Sequence, residues 1–131
     1  FSDLNNLYFN TIPKIKNKIQ KKKMTQMIEL IYQCATNGFG NIIAYTDKKS
    51  NEIASIILIL YDNNSSHLVF NLASEEWKKK GIMSWCMHKA IVDARKNKKN
   101  TFDFNGANSP HRGDNKHSFG SKSALYFKLN Y

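Results

Sequence analysis

Apolar residues recur along this chain first at the spacing of helices, then at that of strands, then at that of a helix again. Phe1 to Asn10 carries them at helical intervals, and Pro13 ends the segment, since proline lacks an N–H and its ring clashes with the preceding turn. Ile12, Ile15 and Ile19 continue at helical spacing among Lys14, Lys16, Lys18, Lys21, Lys22 and Lys23, which predicts a narrow apolar stripe on a basic, solvated helix. Met24, Met27, Ile28, Ile31 and Ala35 then follow the i, i+3, i+4, i+7 rule. They predict a second, better-buried helix to about Thr36, closed by a left-handed cap at Asn37-Gly38.

From Asn41 the period drops to two. Ile42 to Thr46 predicts a strand, Asp47 to Asn51 a polar turn, and Glu52 to Tyr61 a long strand whose Ile56-Ile57-Leu58-Ile59-Leu60 run is apolar on both faces and therefore central. Asp62 to Ser66 turns the chain, and His67 to Ser74 returns as an antiparallel neighbour. A polar loop leads to a helix from about Ile82 to Lys98. Met83, Cys86, Met87, Ala90, Ile91 and Ala94 form its buried stripe, with Lys89, Asp93, Arg95 and Lys96 toward water. Thr101 to Asn105 is a strand with Phe102 and Phe104 on one face and Asp103 on the other, and Ala124 to Leu129 closes the sheet. The order predicts one α+β domain of three-layer type, a mixed and mostly antiparallel sheet flanked by helices.

Composition adds charge and little else. A chain of 131 residues fits one domain, and its start at Phe1 rather than Met predicts a piece of a longer protein. No apolar run reaches the roughly 20 residues of a membrane span. Cys34 and Cys86 lie inside helical patterns and read as buried free thiols, which fits a cytoplasmic setting. The net charge of +10 is nearly all lysine. It fits phosphate-bearing partners such as coenzyme A, nucleotides or RNA, and equally a Lys- and Asn-rich proteome. Arg95 and Arg112 are the only arginines, so bidentate contacts to phosphates and bases are scarce.

The chemistry gathers in Thr101 to Lys122. FDFNGANSP followed by HSFGSK resembles the signature of FemAB-like proteins of the GNAT superfamily of N-acyltransferases, in which a Phe-Asp-Phe-x-Gly-Ser strand precedes a Phe-Gly and a final strand. Phe102-Asp103-Phe104-Asn105-Gly106 matches, Ala107 stands at the small position, and Phe119-Gly120 matches the second piece. The element order is also that of the GNAT fold after its first strand. The likeness covers most of the chain by order and about twenty residues by motif.

This resemblance implies transfer of an acyl or aminoacyl group to an amine, such as an amino sugar, amino acid or peptidoglycan-type precursor. The donor would be a coenzyme A thioester such as acetyl-CoA, or aminoacyl-tRNA, with no metal. It implies that the strands His67 to Ser74 and Thr101 to Asn105 splay apart, that a pantetheine arm lies along the open edge, and that a backbone N–H near Leu72 or Ala73 faces the oxyanion of the tetrahedral intermediate. Ser74, Lys79, Lys80, Gly81 and Ile82 would hold the pyrophosphate at a helix N-terminus. Many members carry Arg/Gln-x-x-Gly-x-Gly/Ala there. Lys78 to Met83 keeps one glycine and has Met83 where a second small residue is expected, a departure that suits a FemAB-like domain or a half that does not hold the donor. A solvated loop accounts for the lysines as well.

Among individual residues, Asp103 is placed to accept a proton from the nucleophilic ammonium or to orient it, or to bond backbone N–H groups of the turn from Asn105 to Ser109. Asn105, Asn108 and Ser109 are candidate substrate hydrogen-bonders with the same turn-forming alternative. Trp77 and Trp85 are candidate pocket walls, Trp85 being the one better suited to packing. His111 and His117 are candidate bases in a polar loop, and Tyr126 could protonate a thiolate or belong to the core. His67, His88, His111, His117, Cys34 and Cys86 show no metal-ligand spacing. Expected partners are a small-molecule amine, tRNA if that is the donor, and a second GNAT-like domain or a second copy, with no membrane. Two rival readings are a basic RNA- or tRNA-binding module, which the lack of arginine and of interleaved aromatics opposes, and a catalytically inactive GNAT-like scaffold half.

Overall fold

A computed structural model of the chain describes residues 1–11, 17–106 and 116–124. Asn108, Ser109, His111, Tyr126 and almost all of the predicted closing strand lie outside the described residues. Two helices come first, α1 (Ser2–Thr11) and α2 (Lys18–Cys34). The two helical stretches expected on either side of Lys23 are therefore one: nothing between Lys23 and Met24 breaks the backbone, and only the burial of the stripe changes. Asn17 caps α2 by accepting the Ile19 N–H at 2.9 Å. That cap helps offset four lysines in the first six residues, which oppose the helix dipole. A π-helical turn, Ala35–Phe39, ends α2 with Gly38 left-handed at φ 92°.

Strands β1 (Gly40–Thr46), β2 (Ile53–Tyr61) and β3 (Ser65–Ala73) form an antiparallel meander. A short helix α3 (Glu75–Lys79) lies where sequence predicts only a loop, and α4 (Ile82–Lys96) leads to β4 (Thr101–Asp103). The sheet order is β1-β2-β3-β4, with β4 parallel to β3. A two-stranded parallel contact needs a crossover, and α4 provides it.

Both faces of β2 are buried, and its alternation divides the core. Ile56 and Leu58 face Leu4, Leu7, Tyr8 and Ile28 of α1 and α2, while Ile57 and Ile59 face Ile82, Cys86, Met87 and Ala90 of α4. Ile57, Leu58 and Ile59 are completely buried, each contributing roughly 1.5–3 kcal/mol of apolar burial. Buried Ser55 joins strand to helix, donating to the Leu72 carbonyl at 2.8 Å and meeting the Cys86 sulfur at 3.3 Å. Asp93, expected in water, is half-buried instead. It accepts from Asn41 Nδ2 at 2.9 Å and from the Tyr61 hydroxyl, tying the far half of α4 to β1 and β2. Phe102 and Phe104 pack on the α4 side and Asp103 emerges on the other, as the alternation requires.

At the start of β1 the backbones come close. A Cβ on Gly40 would fall inside van der Waals contact of the Ile59 carbonyl oxygen, which is fixed in the ladder. Gly40→Ala should therefore destabilise the chain by about 1–3 kcal/mol. A urea midpoint unchanged from wild type would show that the strands can separate there at no cost.

Candidate active site

Backbone pairing between β3 and β4 covers only Ser65 to His67 against Thr101 to Asp103. Beyond that point Asn105 and Gly106 both take positive φ, 54° and 85°, which turns the chain out of the sheet. The Asn105 amide bridges the first part of the gap by donating to the Leu68 carbonyl at 2.7 Å, and Lys116 Nζ reaches the Asn105 carbonyl at 3.1 Å and the Gly106 carbonyl. From Val69 onward the outer edge of β3 is open among the described residues.

Register decides which groups line that opening. The Ser74 N–H donates to the Ala54 carbonyl at 3.0 Å, so Ala54 and Ser74 form a bonded pair. Alternation makes Ile56 and Leu72 the next bonded pair and turns the backbone groups of Asn71 and Ala73 outward. Of Leu72 and Ala73, Ala73 is thus the residue whose N–H meets the gap. Its carbonyl already accepts from the Thr11 hydroxyl at 3.4 Å, which brings the end of α1 to the same place. Val69 is an extra residue in β3, since Leu58 pairs with Phe70 and Ile59 with Leu68. Such a bulge re-aims the strand.

At the end of β3, Gly81 precedes α4 in left-handed conformation, φ 78°, with no side chain capping the helix. The N–H groups of Ile82 and Met83 find no acceptor among the described residues, an arrangement that favours anions. The three lysines before Gly81 are not equivalent. Lys78 pairs with Glu75 and Lys80 with Glu76, both at 2.5 Å, leaving Lys79 without an acidic partner among the described residues. The sequence signal was present in EEWKKK as i,i+3 and i,i+4 pairs. Ser74 is the residue before α3, half-buried and without a side-chain capping bond. Tyr45, Trp77 and Trp85 wall an open pocket of about 220 Å³ beside Gly81, with ring centroids 5.3 Å and 5.7 Å from Tyr45 and Lys80 Nζ 4.2 Å over the Trp77 ring. Trp85 is 45% exposed, so packing does not account for all of it.

Asp103 has two jobs at once. One oxygen accepts the Asn105 N–H at 2.8 Å, the turn-forming role, and the other faces His67 Nδ1 at 3.3 Å. His67 Nε2 meets Asp62 at 2.8 Å. Asp62 also accepts from the Asn64 and Ser65 N–H groups, and these bonds together with His67 hold its carboxyl down to about 2. The Asp62 hydrogen bond raises the His67 pKa, partly opposed by desolvation and supported by Asp103. His117, by contrast, is exposed and spends Nδ1 on the Ser121 carbonyl at 3.1 Å. Sequence reasoning missed His67 because its partners lie five and 36 residues away. Among the described residues no group of three or more His, Cys, Asp or Glu is arranged to hold a metal ion, and no helix is long and apolar enough to cross a membrane.

Solved N-acetyltransferases share this fold, a mixed sheet flanked by helices. The chain matches a glucosamine-6-phosphate N-acetyltransferase from Arabidopsis thaliana with TM-score 0.68 and 10% identity over 99% of this chain and 92% of that one. It matches an aminoglycoside antibiotic 6'-N-acetyltransferase from Acinetobacter baumannii with TM-score 0.63 and 15% identity, covering 99% and 91% of the two chains. An acetyltransferase from Trypanosoma brucei gives TM-score 0.69 and 8% identity, covering 99% and 94%. No family model and no curated protein sequence matches the chain.

The Asp62 and His67 pair makes stability depend on pH with opposite signs at its two ends. The imidazolium's contribution is complete below 6.5 and is lost as pH rises through the higher folded value. That of the Asp62 carboxylate is complete above 3.8 and is lost as pH falls through about 2. Urea midpoints should therefore decline above pH 6.5 in wild type and stay flat there in His67→Gln. Parallel profiles for the two chains would mean that the imidazole gains nothing from its carboxylates.

Proposed function

We propose that this chain is an N-acyltransferase that uses a coenzyme A thioester and acylates a primary amine of a small molecule, with amino sugars and aminoglycosides as the first acceptors to try. The observation that carries the reading is the open edge of β3 ending at the uncapped start of α4. Fit to the donor can be judged from the chain's own groups. The N–H groups of Ile82 and Met83, with Lys79 beside them, suit a pyrophosphate, and Gly81 leaves its approach clear, since nothing lies within 4 Å of where its Cβ would stand. The outward N–H and C=O groups of Asn71 and the N–H of Ala73 suit the amides of a pantetheine arm, as an edge strand suits an added strand. When bound, such a thioester supplies an acyl carbonyl open to attack by an amine. The Ala73 N–H is the chain's candidate for stabilising charge on that carbonyl oxygen. Ser74, Lys80 and Trp77 flank these groups, Lys80 being partly neutralised by Glu76.

The finer likeness to FemAB-like proteins, and with it an aminoacyl-tRNA donor, rests on Phe102 to Gly106 and Phe119-Gly120. Most of these have a packing or turn role here: Phe102 meets Phe104 edge to face, Phe104 meets Phe119 at a tilt, and Asn105 and Gly106 make the left-handed exit. Met83 stands in place of a small residue, yet its carbonyl is engaged by Asn71 Nδ2 at 3.3 Å and its N–H meets no acceptor among the described residues.

Thermal unfolding with coenzyme A tests the reading. The midpoint should climb with ligand concentration, reaching about 2.7 kcal/mol of stabilisation at a hundred times Kd. Lys79→Glu should weaken the effect severalfold, and pantetheine alone should give less. With acetyl-CoA and glucosamine 6-phosphate or an aminoglycoside, free thiol should be released. No shift at millimolar coenzyme A, together with salt-sensitive tRNA binding, would turn the assignment to a nucleic-acid module.

A further inference from the structure

We infer that the pocket walled by Tyr45, Trp77 and Trp85 takes the adenine ring of the donor, which is then recognised by its nucleotide as well as by its pantetheine arm; the inference rests on the acyltransferase reading above. Gly81 and Ile82 themselves line the pocket. A base inside it and phosphates at the N–H groups of Ile82 and Met83 are therefore neighbours, joined by one ribose. The volume of about 220 Å³ falls below the roughly 300–1,000 Å³ of pockets that enclose a whole drug-sized ligand. It suits one flat group with the rest of the molecule outside.

Three separate elements supply the walls. Alternation along β1 turns Tyr45 to the α4 face, between the exposed Ala44 and Thr46. Trp77 comes from α3, the short helix that follows β3. Trp85 stands at the edge of the stripe Ile82, Cys86 and Met87, which packs on the sheet, and so keeps much of its indole in water. A ligand gains by covering that surface. The order of features also matches the donor. Its pantetheine would follow β3 at Asn71 and Ala73, its phosphates the start of α4, and its base the pocket beside that start.

Two lysines now rest on the rings, Lys80 Nζ over Trp77 at 4.2 Å and Lys89 Nζ over Trp85 at 5.1 Å. Both lysines are exposed and both contacts can yield. A cation–π contact at an exposed site is weaker than the stacking of a base on an aromatic side chain, and a lysine ammonium sits on a flexible stem. Displaced from its ring, the ammonium can turn to a phosphate instead. Lys89 is the more available of the two. It pairs with no carboxylate among the described residues, whereas Lys80 is shared with Glu76. Aromatic faces with positive charge at hand suit a base that carries phosphates; a neutral aromatic would gain the faces alone.

Trp77 and Trp85 are the only tryptophans of the chain, so indole fluorescence reports on this pocket alone. Coenzyme A should quench it saturably, and ADP should do the same. Inorganic pyrophosphate and pantetheine, which lack the base, should leave it unchanged. Trp85→Ala should raise the Kd for coenzyme A about 10-fold or more, while the thermal shift given by pantetheine stays as in wild type. Lys89→Glu should raise the same Kd severalfold, and less at high salt. Kd is read from the thermal shift, which also shows whether each variant is folded. If Trp85→Ala does not fold, the quenching pattern of the wild type decides. Quenching by pyrophosphate equal to that by coenzyme A, or a Kd unchanged in a folded Trp85→Ala, overturns this inference alone. A wild type with no thermal shift at millimolar coenzyme A overturns the acyltransferase reading and this inference with it.

Discussion

The molecule turns on a parallel strand pair that stops after three residues. Strand pairing is normally self-propagating, because each unpaired buried N–H or C=O costs free energy comparable to a lost hydrogen bond. Here it is ended by two consecutive left-handed residues, Asn105 and Gly106, the first of them a non-glycine that pays about 1–2 kcal/mol for the conformation. Asn105 recovers part of that cost by bonding Asp103 through its N–H and Leu68 through its amide. Among the described residues the edge of β3 beyond Leu68 is left to Asn71 and Ala73, with only the Ala73 carbonyl met, by Thr11. Natural edges are usually covered or blunted. An edge left open in this way offers its N–H and C=O groups to a partner that carries amides of its own.

Charge has a more local meaning than the total of +10 suggests. The lysines of α2 crowd its N-terminal end, where they oppose the helix dipole, and so do not serve the helix. The three lysines before α4 are reduced by Glu75 and Glu76 to one without an acidic partner, Lys79. Surface pairs of this kind are worth only a few tenths of a kcal/mol, yet they determine where positive potential is left over. It remains close in sequence to the start of α4, where the Ile82 and Met83 N–H groups meet no acceptor among the described residues. At the other end of the opening the sign reverses at Asp62 and Asp103.

Element order was legible in the sequence because it depends on local period. The change from 3.6 to 2 at Asn41, the doubly apolar run Ile56 to Leu60 and the stripe from Met83 to Ala94 all map onto the observed α2, β2 and α4. Boundaries that depend on backbone continuity were less legible. A drop in burial near Lys23 reads like a helix end although the chain continues helical, and Glu75 to Lys79 closes a helical turn that five residues are too few to announce. Side chains whose partners lie across the sheet were the least legible. Asp93 follows the polar rhythm of an exposed helix face, yet it meets Asn41, 52 residues away. His67 opens a strand like any polar residue, and only the register with β4 sets Asp103 against it.

That register gives the Phe102 to Gly106 motif a structural part as well. Asp103 looked like a proton acceptor because it stands alone on its face of a buried strand. In the fold one of its oxygens accepts the Asn105 N–H and the other faces an imidazole, and each oxygen keeps a further lone pair. An imidazole between two carboxylates is instead favoured as the imidazolium, since each contact becomes stronger when the ring is charged. The phenylalanines anchor the strand against α4, the asparagine and glycine end it, and the aspartate ties it to His67 on the neighbouring strand.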